Sequence, residues 1–241
     1  MDIGLYKKII DEASKNGTKA ITFGSRGEPT IHPEFKLFLE YCSEKFLDIK
    51  LITNATKLKE DLIHSIFKHK VHQVVFSIDS EEKNAYERIR KFGNYDQVLN
   101  NVKLYNEIKK EYKNINTVTR ISGVKVEEEQ DEKKFCEFWK PYADEVVMKK
   151  AFSRWDTYNN DVMNDFLEPC SYIWERMYIW FDGKVNPCDA DYKSYLSYGN
   201  AKEYSLKELW NNKIISKTRN THLNENRNKI NPCDRCGVTF S

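Results

Sequence analysis

Four things are missing from this 241-residue sequence: an apolar run long enough to cross a bilayer, a signal-peptide segment, an internal repeat and a low-complexity tract. With neither of the first two, a cytoplasmic protein is expected. A chain of this length in a reducing compartment has no need of disulfide staples, so its six cysteines require another explanation. An excess of one charge is lacking too. A formal net charge of +2 gives no argument for nucleic acid, and the locally basic stretch 213–227 reads as a solvated helix face with its loop. What is present is an ordinary globular balance, 40% hydrophobic and 32% charged, enough for one core or for a core with a small appended module.

Four of the six cysteines fall in a pattern that a folding core does not require: Cys170, then Gly183-x4-Cys188, then a closing Cys233-x2-Cys236. A Cys-x2-Cys pair lets two thiolates reach one metal centre from a single turn, and the two distant cysteines complete a four-thiolate set. Pro169, Pro187 and Pro232 each precede one of these thiols. Proline has no N–H and a fixed φ, so each thiolate sits at a rigid turn. Four sulfurs suit zinc or an iron–sulfur cluster. A zinc ribbon brings two close knuckles, whereas Cys170 and Cys188 stand apart around an expected hairpin: residues 176–181, rich in aromatic and apolar side chains, an Asp182-Gly183 turn and a return at Lys184-Val185. That spacing favours the cluster. Cys42 and Cys136 are single, distant, and placed as helix-face residues.

Upstream, strand and helix patterns alternate. A first helix carries Leu5, Ile9, Ile10 and Ala13 on one face and stops at Asn16-Gly17. Short buried strands follow at 19–23, 49–52, 73–78, 117–121 and 145–148. Helices are expected from about residue 32 and at 59–68, 81–90, 95–112 and 128–139. This order argues for a parallel sheet with helical crossovers. Glu28, Thr53, Asn54, Ser77, Asp79, Arg120 and Ser122 lie at or just past strand ends, the edge where parallel α/β folds bind ligands. The loop Gly24-Ser25-Arg26-Gly27-Glu28-Pro29-Thr30 has two glycines that permit close backbone approach to a ligand.

The loop at 24–30 resembles the glycine-rich Gly-Glu-Pro segment of the radical S-adenosylmethionine (SAM) enzymes, with Thr53-Asn54, Ser77-x-Asp79 and Arg90 at matching later positions. The four C-terminal cysteines resemble the shorter form of that family's auxiliary-cluster extension, SPASM. The resemblance covers almost the whole chain. It implies an α/β fold: a partial (β/α)6 radical SAM-type TIM barrel missing its first strand, followed by a small cysteine-rich SPASM/twitch-like module. The implied division is a barrel at 1–150, a linker at 151–164 and the iron–sulfur module at 165–241.

By the same resemblance, Gly27 and Glu28 would contact the SAM amino group, Asn54 and Ser77 would hydrogen-bond the cofactor, and Arg90 would pair with its carboxylate. Cys170, Cys188, Cys233 and Cys236 would ligate an auxiliary [4Fe–4S] cluster, and Arg120 with Arg154-Trp155-Asp156 would line a substrate pocket. The family's reductive chemistry needs a Cys-x3-Cys-x2-Cys loop, which this sequence does not contain. The expectation is a radical SAM/SPASM-type protein whose complete form cleaves SAM and abstracts a hydrogen atom from a peptide, sugar-derived or other small polar substrate. The chain as given is expected to be inactive alone. Its expected partners are a chain supplying the missing segment or an electron donor, with neither nucleic acid nor membrane. A non-catalytic iron–sulfur or zinc-binding assembly module is the alternative.

Overall fold

The chain opens with helix α1 (Ile3–Lys15), whose apolar positions Leu5, Tyr6, Ile9 and Ile10 recur at helical spacing and are all buried. The Asp2 carboxylate caps it by accepting from the Leu5 N–H at 2.9 Å, and Gly17 ends it at φ +82°. The computed structural model describes residues 1–113, 116–151, 156–165 and 167–237. It divides into two compact units, Thr18–Ala151 and Met1–Gly17 with Phe152–Ser241. Helix α1, grouped with the strands in the expected 1–150 barrel, packs here within the second of these units. Its Leu5 and Ile9 bury against Ile173, Val185, Tyr198 and Leu209, and its Lys8 ammonium donates to the Ala201 carbonyl at 2.6 Å.

The sheet unit follows the alternation seen in the sequence. It runs β1 (Ala20–Phe23), α2 (Phe35–Cys42), β2 (Asp48–Thr53), α3 (Glu60–Lys68), β3 (Gln73–Ser77), α4 (Lys83–Ile89), α5 (Tyr95–Lys109), β4 (Val118–Lys125), α6 (Glu132–Trp139) and β5 (Glu145–Lys150). The five strands are parallel and lie in sequence order. Crossovers between parallel neighbours are right-handed as a rule, and in strand order 1 to 5 that puts the intervening helices on one face. On that face Ile49, Leu51, Val74, Phe76 and Ile121 are wholly buried, with Phe67 and Tyr105 packed ring against ring at 5.0 Å. The opposite face carries the alternate residues, among them Lys50, Ser77, Arg120 and Ser122.

Two boundaries differ by four residues from the sequence reading. Strand β4 continues to Lys125 instead of stopping at 121, because β5 pairs with it as far as Lys125 opposite Lys150. Helix α6 begins at Glu132 instead of 128. Asp131 caps it by accepting from the N–H groups of Lys133 and Lys134, and the Gln130 side-chain oxygen accepts from Val126 and Glu127, holding residues 126–130 as a turn.

In the other unit, α7 (Tyr172–Glu175) precedes a small antiparallel sheet of β6 (Tyr178–Ile179), β7 (Lys184–Asn186) and β8 (Gly199–Asn200), then α8 (Leu206–Asn211) and α9 (Lys213–Leu223). The hairpin turn falls at Asp182-Gly183 as expected, with Gly183 at φ +90° and Asn200 Oδ1 only 2.4 Å from where a Cβ would sit. Ser205 and Glu208 form a reciprocal capping box on α8, and Asn212 both ends α8 and caps α9. Among the described residues no helix is long and apolar enough to cross a membrane.

Candidate functional site

At the C-terminal edge of the parallel sheet, the loop after β1 folds back onto the end of β2. Glu28 Oε1 accepts from the Thr30 N–H at 3.0 Å, the Thr30 hydroxyl at 2.6 Å and the Thr53 hydroxyl at 2.7 Å. Its Oε2 accepts from the Asn54 N–H at 2.6 Å. The carboxylate is therefore a brace between two loops. One donor on Oε2 leaves that oxygen capacity for a further donor. Asn54 turns its own Oδ1 to the N–H and hydroxyl of Thr56, at 3.0 and 2.7 Å, leaving its amide NH2 as the group that can meet a ligand. The two glycines of the loop differ. Gly24, at φ +146°, lies against Ile52, where an added Cβ would be 2.8 Å from the Ile52 Cβ, so its role is packing. A Cβ on Gly27 would meet nothing within 4 Å, so that backbone borders open space.

Past β3 a second group forms. Arg90 Nε donates to Asp79 Oδ2 at 2.6 Å, and its Nη2 donates to the Ser77 hydroxyl at 2.9 Å. Asp79 is 6% exposed and is itself held, because its Oδ1 accepts from the Val124 N–H at 3.0 Å and its carbonyl from the Gln130 side chain at 2.6 Å. Three elements thus fix one guanidinium, and its remaining nitrogen, Nη1, has no hydrogen bond among the described residues. Fixing the plane of a guanidinium before a carboxylate arrives reduces the entropy lost on binding. Asp79 and Arg90 were both conspicuous in the sequence; their pairing was not, and Gln130 carried no signal.

In the other unit, Cys170, Cys188, Cys233 and Cys236 line one pocket together with Tyr172, Ile173, Pro187, Asp189, Ala190, Arg227 and Pro232. Burial raises the Cys170 thiol pKa and pushes Cys188 up to about 12. Burial also raises Cys233, with Cys188 and Cys236 adding to it. Thiols that resist ionisation and crowd one another are stable as thiolates only around positive charge, which a metal group supplies. No three His, Cys, Asp or Glu side chains among the described residues close together as the ligands of a single ion. Four sulfurs that line one pocket are a donor set that suits an iron–sulfur cluster or zinc. All six cysteines are free thiols, with Cys42 buried on α2 and the Cys136 thiol 4.0 Å from the Val146 carbonyl, both outside this pocket.

Two supports of the pocket escaped the sequence reading. His222 on α9, wholly buried, accepts the Cys170 N–H through Nδ1 at 3.2 Å, and burial, with Arg227 beside it, lowers its pKa to about 4. Arg227, expected on a solvated stretch, is 2% exposed and donates from Nη2 to the Cys236 carbonyl at 2.9 Å. A basic residue inside a basic run looks like surface; only the fold shows its depth. Of the expected substrate-pocket residues, Arg120 lies on the helix-free face of the sheet and Asp156 accepts from the Tyr192 hydroxyl at 2.8 Å, while Arg154 and Trp155 lie outside the described residues.

A parallel α/β sheet with a polar C-terminal edge, in one chain with a four-thiol pocket, defines a cofactor-binding iron–sulfur protein. The model of the radical SAM superfamily matches residues 1–138, and that of an iron–sulfur cluster-binding domain, SPASM, matches residues 170–237. The chain belongs to the radical SAM superfamily, whose cofactors are iron–sulfur clusters and SAM. Among curated relatives, a tungsten-containing aldehyde ferredoxin oxidoreductase cofactor-modifying protein of Pyrococcus furiosus is 35% identical over 80 residues, 33% of this chain and 22% of that protein. An uncharacterised protein of Methanocaldococcus jannaschii is 24% identical over 136 residues, 56% of this chain and 46% of its own. The chain therefore spans less than half the length of either. Among solved structures, BtrN in complex with AdoMet and 2-DOIA has a TM-score of 0.63 at 18% identity, with 99% of this chain and 81% of that one covered. SuiB of Streptococcus suis bound to S-adenosylmethionine has a TM-score of 0.64 at 17% identity, covering 90% and 60%. These likenesses show the fold.

Proposed function

We propose that this chain is the SAM-holding and auxiliary-cluster portion of a radical SAM/SPASM enzyme that abstracts a hydrogen atom from a small polar, sugar-derived or peptide substrate. The observation that carries this reading is Arg90, clamped by Asp79 and Ser77 at the sheet edge with Nη1 directed to no described partner. In the proposed arrangement Arg90 and Ser77 hold the SAM carboxylate, Glu28 Oε2 and the open backbone at Gly27 receive its amino group, and the Asn54 amide holds its sugar. The bound cofactor supplies a 5′-deoxyadenosyl radical when reduced by a cluster with an open iron. That cluster needs the thiolates of a Cys-x3-Cys-x2-Cys loop, which residues 1–241 do not contain, so the chain by itself is proposed to bind SAM without cleaving it. Cys170, Cys188, Cys233 and Cys236 saturate the auxiliary [4Fe–4S] group, which suits electron transfer or structural support rather than substrate binding.

The test is anaerobic reconstitution with iron, sulfide and zinc quantified together, alongside equilibrium SAM binding. About four irons per chain, lost in Cys233→Ala, and SAM affinity lowered at least tenfold in Arg90→Gln are expected. Stoichiometric zinc without iron, or SAM binding indifferent to Arg90, would overturn the assignment.

A further inference from the structure

The helix-free face of the parallel sheet carries charges that the SAM arrangement does not use. Side chains alternate along each strand, so Ile49 and Leu51 turn to the helices while Lys50 turns to the other face. Likewise Thr119 bonds toward α5 and Ile121 is buried, which sends Arg120 to the same face as Lys50. Met148 is buried toward the helices and Lys149 is not. Three cations, from β2, β4 and β5, thus share one face with two carboxylates, Asp48 and Glu145, at the starts of their strands.

Those carboxylates offset the cations only in part: Glu145 forms an ion pair with Arg120, and no ion pair joins Asp48 to Lys50 or Lys149 among the described residues. Arg120 Nη1 lies 3.7 Å from Glu145 Oε2, beyond hydrogen-bond reach, and Arg120 Nε is buried with no hydrogen-bond partner. Lys50 and Lys149 make no ion pair or side-chain hydrogen bond among the described residues. The cations nevertheless sense each other: burial and then Arg120 lower the Lys50 pKa, Asp48 and Glu145 oppose this, and Lys149 adds to it. A buried guanidinium nitrogen without an acceptor is costly, and like charges drawn together are costlier still. Both costs fall if an oxyanion sits among them.

We infer that Arg120, Lys50 and Lys149 form an oxyanion-binding site on the inner face of the sheet, which receives a carboxylate or phosphate of the substrate. This deepens the proposed function by naming the substrate class, an acidic molecule, and rests on that reading for the word substrate only; anion binding itself does not depend on SAM.

The experiment is a titration of the reconstituted full chain at low salt, by calorimetry, with inorganic phosphate, succinate and the neutral analogue succinamide. SAM affinity is measured on the same samples. Saturable binding of phosphate or of succinate is expected, at least tenfold weaker in Arg120→Gln and in Lys50→Met. Arg120→Lys, which keeps the charge, should retain part of it, and Lys133→Gln, 85% exposed on α6, should retain all of it. Phosphate outbinding succinate assigns a phosphorylated group, and the reverse assigns a carboxylate. No saturable binding, equal binding of succinamide, or equal loss in Lys133→Gln overturns the site. Loss of SAM binding with anion binding intact would instead break the SAM assignment and leave this one standing.

Discussion

In the sheet unit, the polar groups at the candidate site are braced by the protein itself: Glu28 collects four donors from two loops, and Asp79 joins Arg90, Val124 and Gln130. In the C-terminal unit the reverse holds. Four thiols line a pocket where burial opposes the ionised form that ligation requires, and the only sheet in that unit, among the described residues, has three strands of two or three residues. The sheet unit also buries Ile49, Leu51, Val74, Phe76 and Phe67 completely in a continuous layer. The other unit has a smaller apolar cluster around Ile173, Val185, Tyr198 and Leu209. The contrast teaches that one site is preorganised by backbone and carboxylates, whereas the other would be completed by the iron–sulfur cluster proposed for it.

The largest test of this contrast is removal of the metal. Anaerobic chelation, or Cys233→Ala, should abolish hydrogen-exchange protection in α7 to α9 while leaving β1 to β5 protected, a loss on the order of several kcal/mol confined to one unit. Uniform loss in both units would erase the distinction. The converse is Leu51→Ala, in a position 0% exposed, which should cost about 2–5 kcal/mol in the sheet unit with iron content unchanged.

Smaller effects sharpen the comparison. Asp79→Asn weakens the charged clamp on Arg90 and should cost about 1–3 kcal/mol together with most of the SAM affinity, read by chemical denaturation and equilibrium binding. His222→Leu leaves the buried Cys170 N–H without its acceptor, so iron should be retained less tightly against a chelator, with His222→Asn restoring part of the retention. Equal iron retention in all three proteins would remove His222 from the pocket's support.

The smallest effect concerns acid. Burial raises the Asp144 pKa, but the Lys109 hydrogen bond and the Thr119 N–H outweigh it and hold the carboxyl below its ordinary 3.8. A depressed folded-state value means stability that is present above 3.8 and lost as pH falls through the folded value. Asp144 is half exposed, so the term is below about 1 kcal/mol, and Asp144→Asn should flatten the acid limb of the stability curve only slightly.

Local pattern alone was enough for the parallel sheet and for the four thiols. Short apolar runs at 49–52 and 73–78, and the Cys233-x2-Cys236 turn, carry their meaning within a few residues. The strand-end position of Glu28, Ser77 and Asp79 was legible for the same reason, whereas β4 runs on to Lys125 and leaves Arg120 and Ser122, expected at its end, inside the strand. Tertiary structure decided the rest. His222 meets Cys170 across 52 residues, Gln130 reaches Asp79 across 51, and α1 packs beside residues near 200. Whether Arg227 is surface or core, and whether Lys50, Arg120 and Lys149 share a face, depends on pairing register and long-range packing. A side chain's period along its own strand is set by covalent geometry; the company it keeps is set by which distant segments the folded core brings beside it.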